Sequence, residues 1–374
     1  MGTMKKAFKR PIIGLLLNNF AVNALKSHFQ EALYKLNKNA QAAAKANVTL
    51  AVFSPKDISF NPDRLNGLVY NQGRKRWETV TLPCPDVLYD RGVGSFTNQK
   101  KRGTYVRQEL NRRGVIKLNA RHYFDKYELY KIISKHPSLS SYLPQTRLLE
   151  SEADLRDMLR AYNQVYVKAL TGRRGREVIK ISRVSPHSYL YSYFQTRLYS
   201  GRVSSLQDLM RVIRGVIGNR AALVQQAVDL LQINGRIIDL RGELQRNGRG
   251  NLETVAILVR AGKNHSPVAT HGTSYLFADF FHNRLHYTPD EIARLKNKIN
   301  NFLVAVYHCM EQTYGPFGEI AIDFGIDTKG KIWFFECNAR SRRISLLKAA
   351  DKKTINRAFL NPMLYAKYLY SQKQ

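Results

Sequence analysis

The segment AIDFGIDTKGKIWFFECN, residues 321–338, limits the possible folds of this chain more than any other stretch. Two apolar, alternating stretches flank the turn-like tetrapeptide DTKG, a pattern that predicts a β-hairpin. Carboxylates interrupt both strands, Asp323 in the first and Glu336 in the second, and Asn338 ends the second strand. Isolated carboxylates seldom lie among Ile, Phe and Trp without a partner. The hairpin is therefore either an acidic edge in contact with solvent or a site that holds a positive charge.

The register of this hairpin decides which side chains share a face. A loop of two or four residues in regular register places Glu336 opposite Ala321 and diagonal to Asp323. It also places Asn338 opposite Glu319. Two carboxylates and an amide oxygen on a partly apolar face are ligands that Mg²⁺ prefers, and the alternative is an amphipathic hairpin with a charged outer face. The predicted polar face contains Glu319, Asp323, Glu336 and Asn338 beside Ile332 and Phe334, and the predicted core face contains Ile320, Ile322, Phe324, Trp333, Phe335 and Cys337.

A second motif, VYVKALTGRRGREV at residues 165–178, combines a strand with a Gly-rich loop. Lys168 interrupts an apolar alternation near the end of the strand, and the basic loop 171–176 follows it. Such a loop lets backbone N–H groups approach phosphate oxygens, and a basic side chain can complete the contact. The motif is neither a Walker A loop nor GxGxxG. The alternative is an ordinary hairpin turn between two strands.

The N-terminal part of the chain has the pattern of an α/β unit. The apolar run 11–17 predicts a buried strand, residues 21–46 predict a helix, and 48–54 predict a second strand. A strand, a helix and a strand in this order predict a parallel sheet.

The charge of the chain points to an anionic partner. Lys and Arg number 60 and Asp and Glu number 28, which gives a formal net charge of +32 spread over the whole length. This excess predicts attraction to a nucleotide, a nucleic acid, or an acidic polymer or surface. No RRM, KH, helix-turn-helix or zinc-finger pattern accompanies it, so only the charge supports nucleic-acid binding.

The cysteines and the apolar runs indicate the compartment. Cys84, Cys309 and Cys337 are far apart and lack CxxC spacing, which favours a reducing compartment over a disulfide framework or a zinc site. The N-terminal apolar run 12–17 is too short for a signal peptide, and no apolar stretch approaches the ~20 residues of a membrane span. We expect a cytoplasmic protein.

Taken together, the strand lysine, the Gly loop, the segment LVQQAV and the late D…E-x-N hairpin resemble an ATP-grasp enzyme. The chain is also similar, from about residue 65 to 370, to the YheC/YheD-type ATP-grasp family, which is associated with the endospore coat of spore-forming bacteria. The similar stretches are WETVTLPCPDVLYDR, FDKYELYKIISKHPSLSSYLPQT, QINGRIIDLRGELQRNGRG, FGEIAIDFGIDTKGKIWFFECN and NPMLYAKYLY.

The resemblance implies an α/β and α+β fold in which two α+β subdomains sandwich ATP behind an N-terminal α/β domain. The N-terminal domain would span residues 1–120. A lid subdomain with a linker helix would span 121–230, and a C-terminal subdomain with the Mg²⁺ site would span 231–374.

The resemblance also implies roles for individual residues. Lys168 would contact the ATP phosphates, and Arg260 would steady an acyl phosphate. The metal ligands for Mg²⁺ would be Asp323, Glu336 and Asn338. The other nucleotide contacts would be Lys126, Thr171, Gly172, Arg173, Gly175, Gln225, Gln226, Ala227, Val228, Asp239 and Arg241.

Several of these residues have an ordinary alternative role. Lys126 could be a solvated helix lysine, and Gln226 could only satisfy backbone groups. Asp239 and Arg241 could form a cross-strand ion pair.

The function implied by the resemblance is an ATP- and Mg²⁺-dependent ligase that joins a carboxylate to an amine or similar nucleophile through an acyl phosphate. An acidic small-molecule or polymeric substrate suits the charge of the chain. Two stretches depart from the family pattern: His271 with a single Gly272, and ARSRR at Ala339–Arg343. Both neighbour the acceptor and phosphate ends of the cleft. The alternative is therefore a non-catalytic or weakly active ATP-binding basic protein on an anionic spore or cell-surface polymer.

Overall fold

The computed structural model describes residues 10–26, 30–93, 97–170, 177–264, 266–269 and 272–373. Their strands form three separate sheets. One sheet is mixed and the other two are antiparallel, which agrees with the predicted combination of α/β and α+β units.

The first sheet is built around parallel strands near the N-terminus. Its strand order is β3-β4-β2-β1-β6-β7, with β5 paired to β4, and β2, β1, β6 and β7 run parallel. The predicted parallel pairing of 11–17 with 48–54 is confirmed, and the predicted helix at 21–46 is helical in the residues described there, which form α1 and α2. The elements are β1 (Ile12–Leu16), α1 (Asn19–Lys26), α2 (Gln30–Ala46), β2 (Thr49–Phe53), β3 (Ile58–Phe60), β4 (Asp63–Asn71), β5 (Arg76–Leu82), β6 (Val87–Asp90), α3 (Thr97–Arg112) and β7 (Ile116–Lys117).

The positions of β2 and β6 on opposite sides of β1 create a switch point in this sheet. In open α/β sheets, ligands bind in the crevice outside the carboxyl ends of the strands at such a point. The crevice here lies beyond Leu16 of β1 and Asp90 of β6.

The second sheet has the order β12-β11-β10-β9-β13-β8 and is covered on one face by two helices. Val165, Val167 and Ala169 of β9 are buried against these helices, so Tyr166 and Lys168 point to the other face. The elements are α4 (Lys126–Ser134), a short 3₁₀ helix (Ser140–Tyr142), β8 (Thr146–Leu148), α5 (Glu152–Tyr162), β9 (Gln164–Ala169), β10 (Val178–Ser185), β11 (Ser188–Phe194), β12 (Leu198–Val203), α6 (Leu206–Ile217) and β13 (Ala222–Gln226). Of these, α4 and the 3₁₀ helix pack on the third sheet rather than on the second.

The third sheet has the order β17-β16-β15-β18-β19 and carries the predicted hairpin as β18 and β19. The long helix α8 begins with a capping box in which Thr288 and Glu291 satisfy each other's backbone N–H groups, and Pro289 occupies its first turn. Its apolar residues pack on the core face of the sheet. The elements are β14 (Gln232–Ile233), β15 (Arg236–Arg246), β16 (Leu252–Ala261), β17 (Thr273–Leu276), α7 (Phe277–Leu285), α8 (Pro289–Tyr314), β18 (Glu319–Ile326), β19 (Ile332–Asn338), α9 (Ile344–Ala349) and α10 (Lys352–Ser371).

The last helix, α10, returns to the N-terminal sheet. Phe359 and Met363 share one hydrophobic core with β1, β2 and α2. No helix among the described residues combines the length and the apolar character that a membrane span requires.

Candidate nucleotide and metal site

The hairpin has a different register from the one predicted. Asp323 lies directly opposite Glu336, and Ala321 lies opposite Asn338. Two features explain the difference: Ile326 pairs with Ile332, which shifts the register at the turn by one residue, and Phe335 is the extra residue of a β-bulge, which shifts it by one more. The prediction that Glu336 lies opposite Ala321 is wrong because it assumed a loop of two or four residues and a ladder without a bulge.

The register at the turn and the bulge also change which side chains share a face. Ile332 and Phe334 belong to the buried core, whereas Trp333 and Phe335 are only partly buried and lie outside it. The prediction placed these four residues on the opposite faces. In a regular strand Ile332, Phe334 and Glu336 would all lie on the core face. The bulge lets β19 bury the two apolar residues and still present Glu336 beside Asp323.

Arginines hold the Asp323 carboxylate. The Arg241 Nε and Nη2 atoms donate to its two oxygens at 2.6 and 2.7 Å, and Arg260 Nη2 lies 3.4 Å from Oδ1. Arg260 also donates twice to Asp239, at 2.5 and 2.8 Å. Burial alone would raise the pKa of Asp323, but the charges of Arg241 and Arg260 outweigh it and hold the pKa well below its usual range.

These pairs correct the proposed alternative for Asp239 and Arg241. The two residues lie on the same strand, β15, and do not form a cross-strand pair with each other. Asp239 pairs across the ladder with Arg260, and Arg241 pairs with Asp323. The result is a fixed row of alternating charges on the polar face of the third sheet.

Asp323, Glu336 and Asn338 converge as a candidate metal set. The Asn338 amide nitrogen lies 3.2 Å from Glu336 Oε1 and 3.4 Å from Asp323 Oδ2. An ionised carboxylate has about four lone-pair sites, so the two bonds from Arg241 leave Asp323 able to accept more. Among the described residues there is no cluster of three or more His, Cys, Asp or Glu side chains suited to a metal. Two carboxylates and an amide oxygen nevertheless fit Mg²⁺, which usually takes few protein ligands.

Lys168 lies across from this set on the second sheet. Its Nζ contacts Gln225 Oε1 at 2.5 Å and lies 5.6 Å from the ring centroids of both Tyr166 and Phe335. Burial and the nearby Lys126 ammonium lower the pKa of Lys168 to about 8, although Glu336 opposes them. Lys168 therefore lies where the second sheet meets the hairpin, in a position to contact an anion between them.

The other residues predicted to contact the nucleotide near the second sheet differ in the hydrogen bonds that they make. Lys126 Nζ approaches the Ala169 carbonyl at 3.4 Å, so it points toward the site and not into bulk solvent. Gln226 accepts from the Gln145 backbone N–H at 3.2 Å, which agrees with the backbone role considered as its alternative. Thr171, Gly172, Arg173 and Gly175 lie outside the described residues.

The segment after β13 borders a cavity of about 380 Å³. The Ala227 N–H donates to the Gln164 carbonyl, and the Val228 carbonyl accepts from the Leu230 N–H. In the described part of the chain no backbone partner is found for the Ala227 carbonyl or the Val228 N–H. Tyr166 and Lys180 also line the cavity.

Tyr166, Lys180 and Phe335 were missed by the sequence prediction. Tyr166 and Lys180 could have been found, because they share the strand face of Lys168 at a spacing of two residues across one β-ladder. Phe335 could not, because its orientation depends on the bulge.

The segment 339–343, one of the two departures, is largely buried. Arg343 pairs with Glu319, which also pairs with Arg91 and accepts from the Tyr89 hydroxyl at 2.7 Å. Burial would raise the pKa of Glu319, but Arg343 and Arg91 outweigh it and lower the pKa. Ser341 donates to Glu243 at 2.6 Å. This part of the segment joins β6 of the first sheet to the third sheet instead of facing the cleft.

The other departure, at 271–272, is described only in part, because His271 lies outside the described residues. A Cβ atom at Gly272 would lie 1.6 Å from the Ala261 carbonyl oxygen, so only glycine fits there.

A basic cluster, which the sequence did not reveal, lies at the carboxyl end of β6. Arg107 donates twice to Asp90, and His122 Nδ1 lies 3.8 Å from the same carboxylate. Arg340 donates to the Arg91 carbonyl at 2.7 Å and fills the space over Gly92 where a Cβ would otherwise lie. Burial and the neighbouring guanidinium groups together lower the pKa of His122 to about 4, although Asp90 opposes them.

Comparisons with known proteins agree with this architecture. The endospore coat-associated protein YheD of Bacillus subtilis (strain 168) is 26% identical over 378 residues, covering 96% of this chain and 79% of the relative. The endospore coat-associated protein YheC of the same strain is 21% identical over 340 residues, covering 89% and 92%.

Solved ATP-grasp structures share the fold. D-cycloserine synthetase DcsG superposes with a TM-score of 0.55 at 12% identity, covering 97% of this chain and 100% of the other. The VanG D-Ala:D-Ser ligase of Enterococcus faecalis gives 0.53 at 13% identity, with the same coverage. The sequence model described as "YheC/D like ATP-grasp" matches residues 115–369. The chain therefore belongs to the YheC/D-like ATP-grasp family.

Proposed function

We propose that the protein is an ATP- and Mg²⁺-dependent ligase that joins a carboxylate to an amine through an acyl phosphate. The observation that carries this proposal is the position of Lys168. Its ammonium group lies 5.6 Å from the centroid of the Phe335 ring, and Phe335 directly precedes Glu336 in the chain. A positive charge that can contact phosphate therefore faces the proposed metal ligands. A triphosphate between them would meet positive charge from one sheet and metal-binding oxygens from the other.

The charged residues would then supply positioning and neutralisation. Lys168 and Lys126 would hold the phosphates, and Arg260 would steady the acyl phosphate that forms when the carboxylate attacks the γ-phosphate. Mg²⁺ bound by Asp323, Glu336 and Asn338 would neutralise phosphate charge. Amine attack on the acyl phosphate gives the amide and releases phosphate, so no protein nucleophile is needed.

Adenine would occupy the cavity beside Ala227 and Val228. One backbone acceptor and one backbone donor there match the amino and ring-nitrogen edge of adenine. Tyr166 supplies an aromatic wall, with its hydroxyl fixed to the Pro267 carbonyl at 2.9 Å.

An acidic substrate is supported by the basic cluster at the β6 crevice. At the switch point of the first sheet, Arg107 and His122 flank a single carboxylate, Asp90, and the charge of Arg340 acts on His122. Arg340 follows Asn338 by two residues, so this crevice continues from the proposed metal site. We place the acidic substrate there, with its reacting carboxylate toward Asn338.

A second candidate function is a non-catalytic basic protein that associates with an anionic spore polymer. The net charge of +32 favours it, because a nucleotide site uses only a few of these cations. The names of the curated relatives support a place in the endospore coat for either function. The free cysteines agree with synthesis in the cytoplasm.

Trapping of the acyl phosphate tests the ligase proposal. The protein is incubated with ATP, Mg²⁺, a pool of acidic metabolites and hydroxylamine, which attacks an acyl phosphate to give a hydroxamate and phosphate. We expect hydroxamate and ADP in equal amounts with the wild type and neither with Glu336→Gln. Nucleotide binding without hydroxamate or ADP for any acid would contradict the ligase proposal and favour the second function.

A further inference from the structure

A hollow in the second sheet lies away from the nucleotide side. It measures about 570 Å³ and is bordered by α5, the β10–β11 turn and the start of α6. Ile179 and Ile181 of β10 are buried under these helices, and Arg183 is the next residue on the same face. The hollow is therefore on the opposite face of the sheet from Lys168.

Three guanidinium groups line this hollow, and little negative charge is paired with them. Arg156 and Arg160 come from one face of α5, and Arg183 comes from β10. Glu152 pairs with Arg156 at 3.3 Å, whereas no salt bridge to Arg160 or Arg183 is found within the described ranges. Neighbouring like charges repel each other, so this arrangement favours an anion between them.

The backbone of the hollow adds positive potential and rigidity. α6 begins here after its N-cap, Ser205, and the N-terminal end of a helix attracts anions. The floor is fixed, because Leu159 and Tyr189 are buried and the Tyr189 hydroxyl donates to the Pro186 carbonyl at 3.0 Å. The Arg183 N–H donates to the Asn163 carbonyl at 2.8 Å, which ties the end of α5 to β10.

We propose that this hollow is a second anion site that binds a small ligand carrying two or more phosphate groups. Guanidinium groups bind phosphate through paired hydrogen bonds, and three of them can contact more than one group. The volume falls within the roughly 300–1,000 Å³ typical of small-molecule pockets, and a single phosphate would leave most of it empty. The site is separate from the proposed ATP site and does not depend on it.

Calorimetric titration with tripolyphosphate tests this site in the 374-residue chain carrying Lys168→Ala, which weakens binding at the proposed ATP site. We expect one ligand per chain and, in Arg160→Gln/Arg183→Gln, a loss of affinity of roughly tenfold or more. Arg214→Gln is the matched control for Arg160→Gln alone: each removes one positive charge from an exposed helix position, but Arg214 lies outside the hollow, so its replacement should keep the affinity.

Three results would overturn the proposal. They are unchanged affinity in the double variant, an equal loss in Arg214→Gln, and binding of citrate as tight as that of tripolyphosphate. Equal losses would mean attraction to a diffuse positive surface, and tight citrate binding would contradict the choice of phosphate. Should the double variant fail to fold, Arg160→Gln alone at its exposed helix position decides the question.

Discussion

Lys168 is the residue whose chemistry depends most on the cleft around it. Its pKa of about 8 means that the ammonium loses its proton at a pH where an exposed lysine would stay charged. A bound phosphate favours the charged form and raises the pKa again.

Nucleotide binding should therefore take up protons in mildly alkaline solution. At about pH 9, Lys168 is mostly neutral before binding and charged afterwards, so binding should take up close to one proton. Titration calorimetry in buffers of different ionisation enthalpy measures this uptake. Lys168→Arg stays charged throughout and should bind without it; proton uptake that persists in this variant would contradict the assignment.

Glu319 is a second residue with a strong expected effect. Its side chain is 2% exposed and binds Arg91 and Arg343. Glu319→Gln leaves the buried Arg343 and the partly buried Arg91 without this counter-ion and should lower the free energy of unfolding by ~3–5 kcal/mol in urea titration. Glu152→Gln removes an exposed ion pair and should change it by about 1 kcal/mol or less. Similar losses in both variants would argue against the buried network.

The candidate site could be predicted only in part at this scale. Asp323, Glu336 and Asn338 were grouped correctly because they lie on one hairpin, close together in sequence. The partners of Asp239 and Arg241 were not, because they depend on pairing with β16 and β18, strands that are distant in sequence.

At the scale of elements, the bulge in β19 is the feature that sets the site. Without it, Phe335 and Glu336 could not lie on the same side of the hairpin. The starts of α5 and α8 have a signal in the sequence, because a capping box precedes each helix. The bulge has no comparable signal, since apolar residues occupy four successive positions from Ile332 to Phe335.

Adjacent phenylalanines give a matched test of the bulge. Phe334 is 3% exposed in the core, so Phe334→Ala should lower the free energy of unfolding by ~3–5 kcal/mol. Phe335→Ala should cost about 1 kcal/mol or less and instead weaken nucleotide binding, because the ring lies beside Lys168. Urea titration and calorimetry separate the two effects. A large loss of stability in Phe335→Ala and a small one in Phe334→Ala would contradict the bulge and favour the unbulged register.

At the scale of the whole molecule, α10 joins the two ends of the chain. It follows the third sheet in sequence but packs on α2 and shares the core of the first sheet. The predicted domain boundaries at residues 120 and 230 follow from the order of the motifs along the chain. That order does not indicate that α10 packs back on the first sheet. We propose that α10 belongs energetically to the N-terminal unit.

Hydrogen exchange tests this assignment. Phe359 is 1% exposed and lies in the core shared with β1 and β2. Phe359→Ala should lower amide protection in those two strands, whereas Lys353→Ala, exposed on the same helix, should not. Loss of protection confined to residues 231–350 would contradict the assignment.

The central claim is a Mg²⁺–ATP site between Lys168 and the β18–β19 hairpin. Thermal unfolding with excess ATP and Mg²⁺ tests it most directly, because a ligand that binds only the folded state at a hundredfold its Kd adds about 2.7 kcal/mol. We expect a rise in Tm of several degrees for the wild type and for Lys296→Ala, an exposed control on α8, and little or none for Lys168→Ala and Glu336→Gln. A wild-type Tm that ATP and Mg²⁺ leave unchanged would contradict the account.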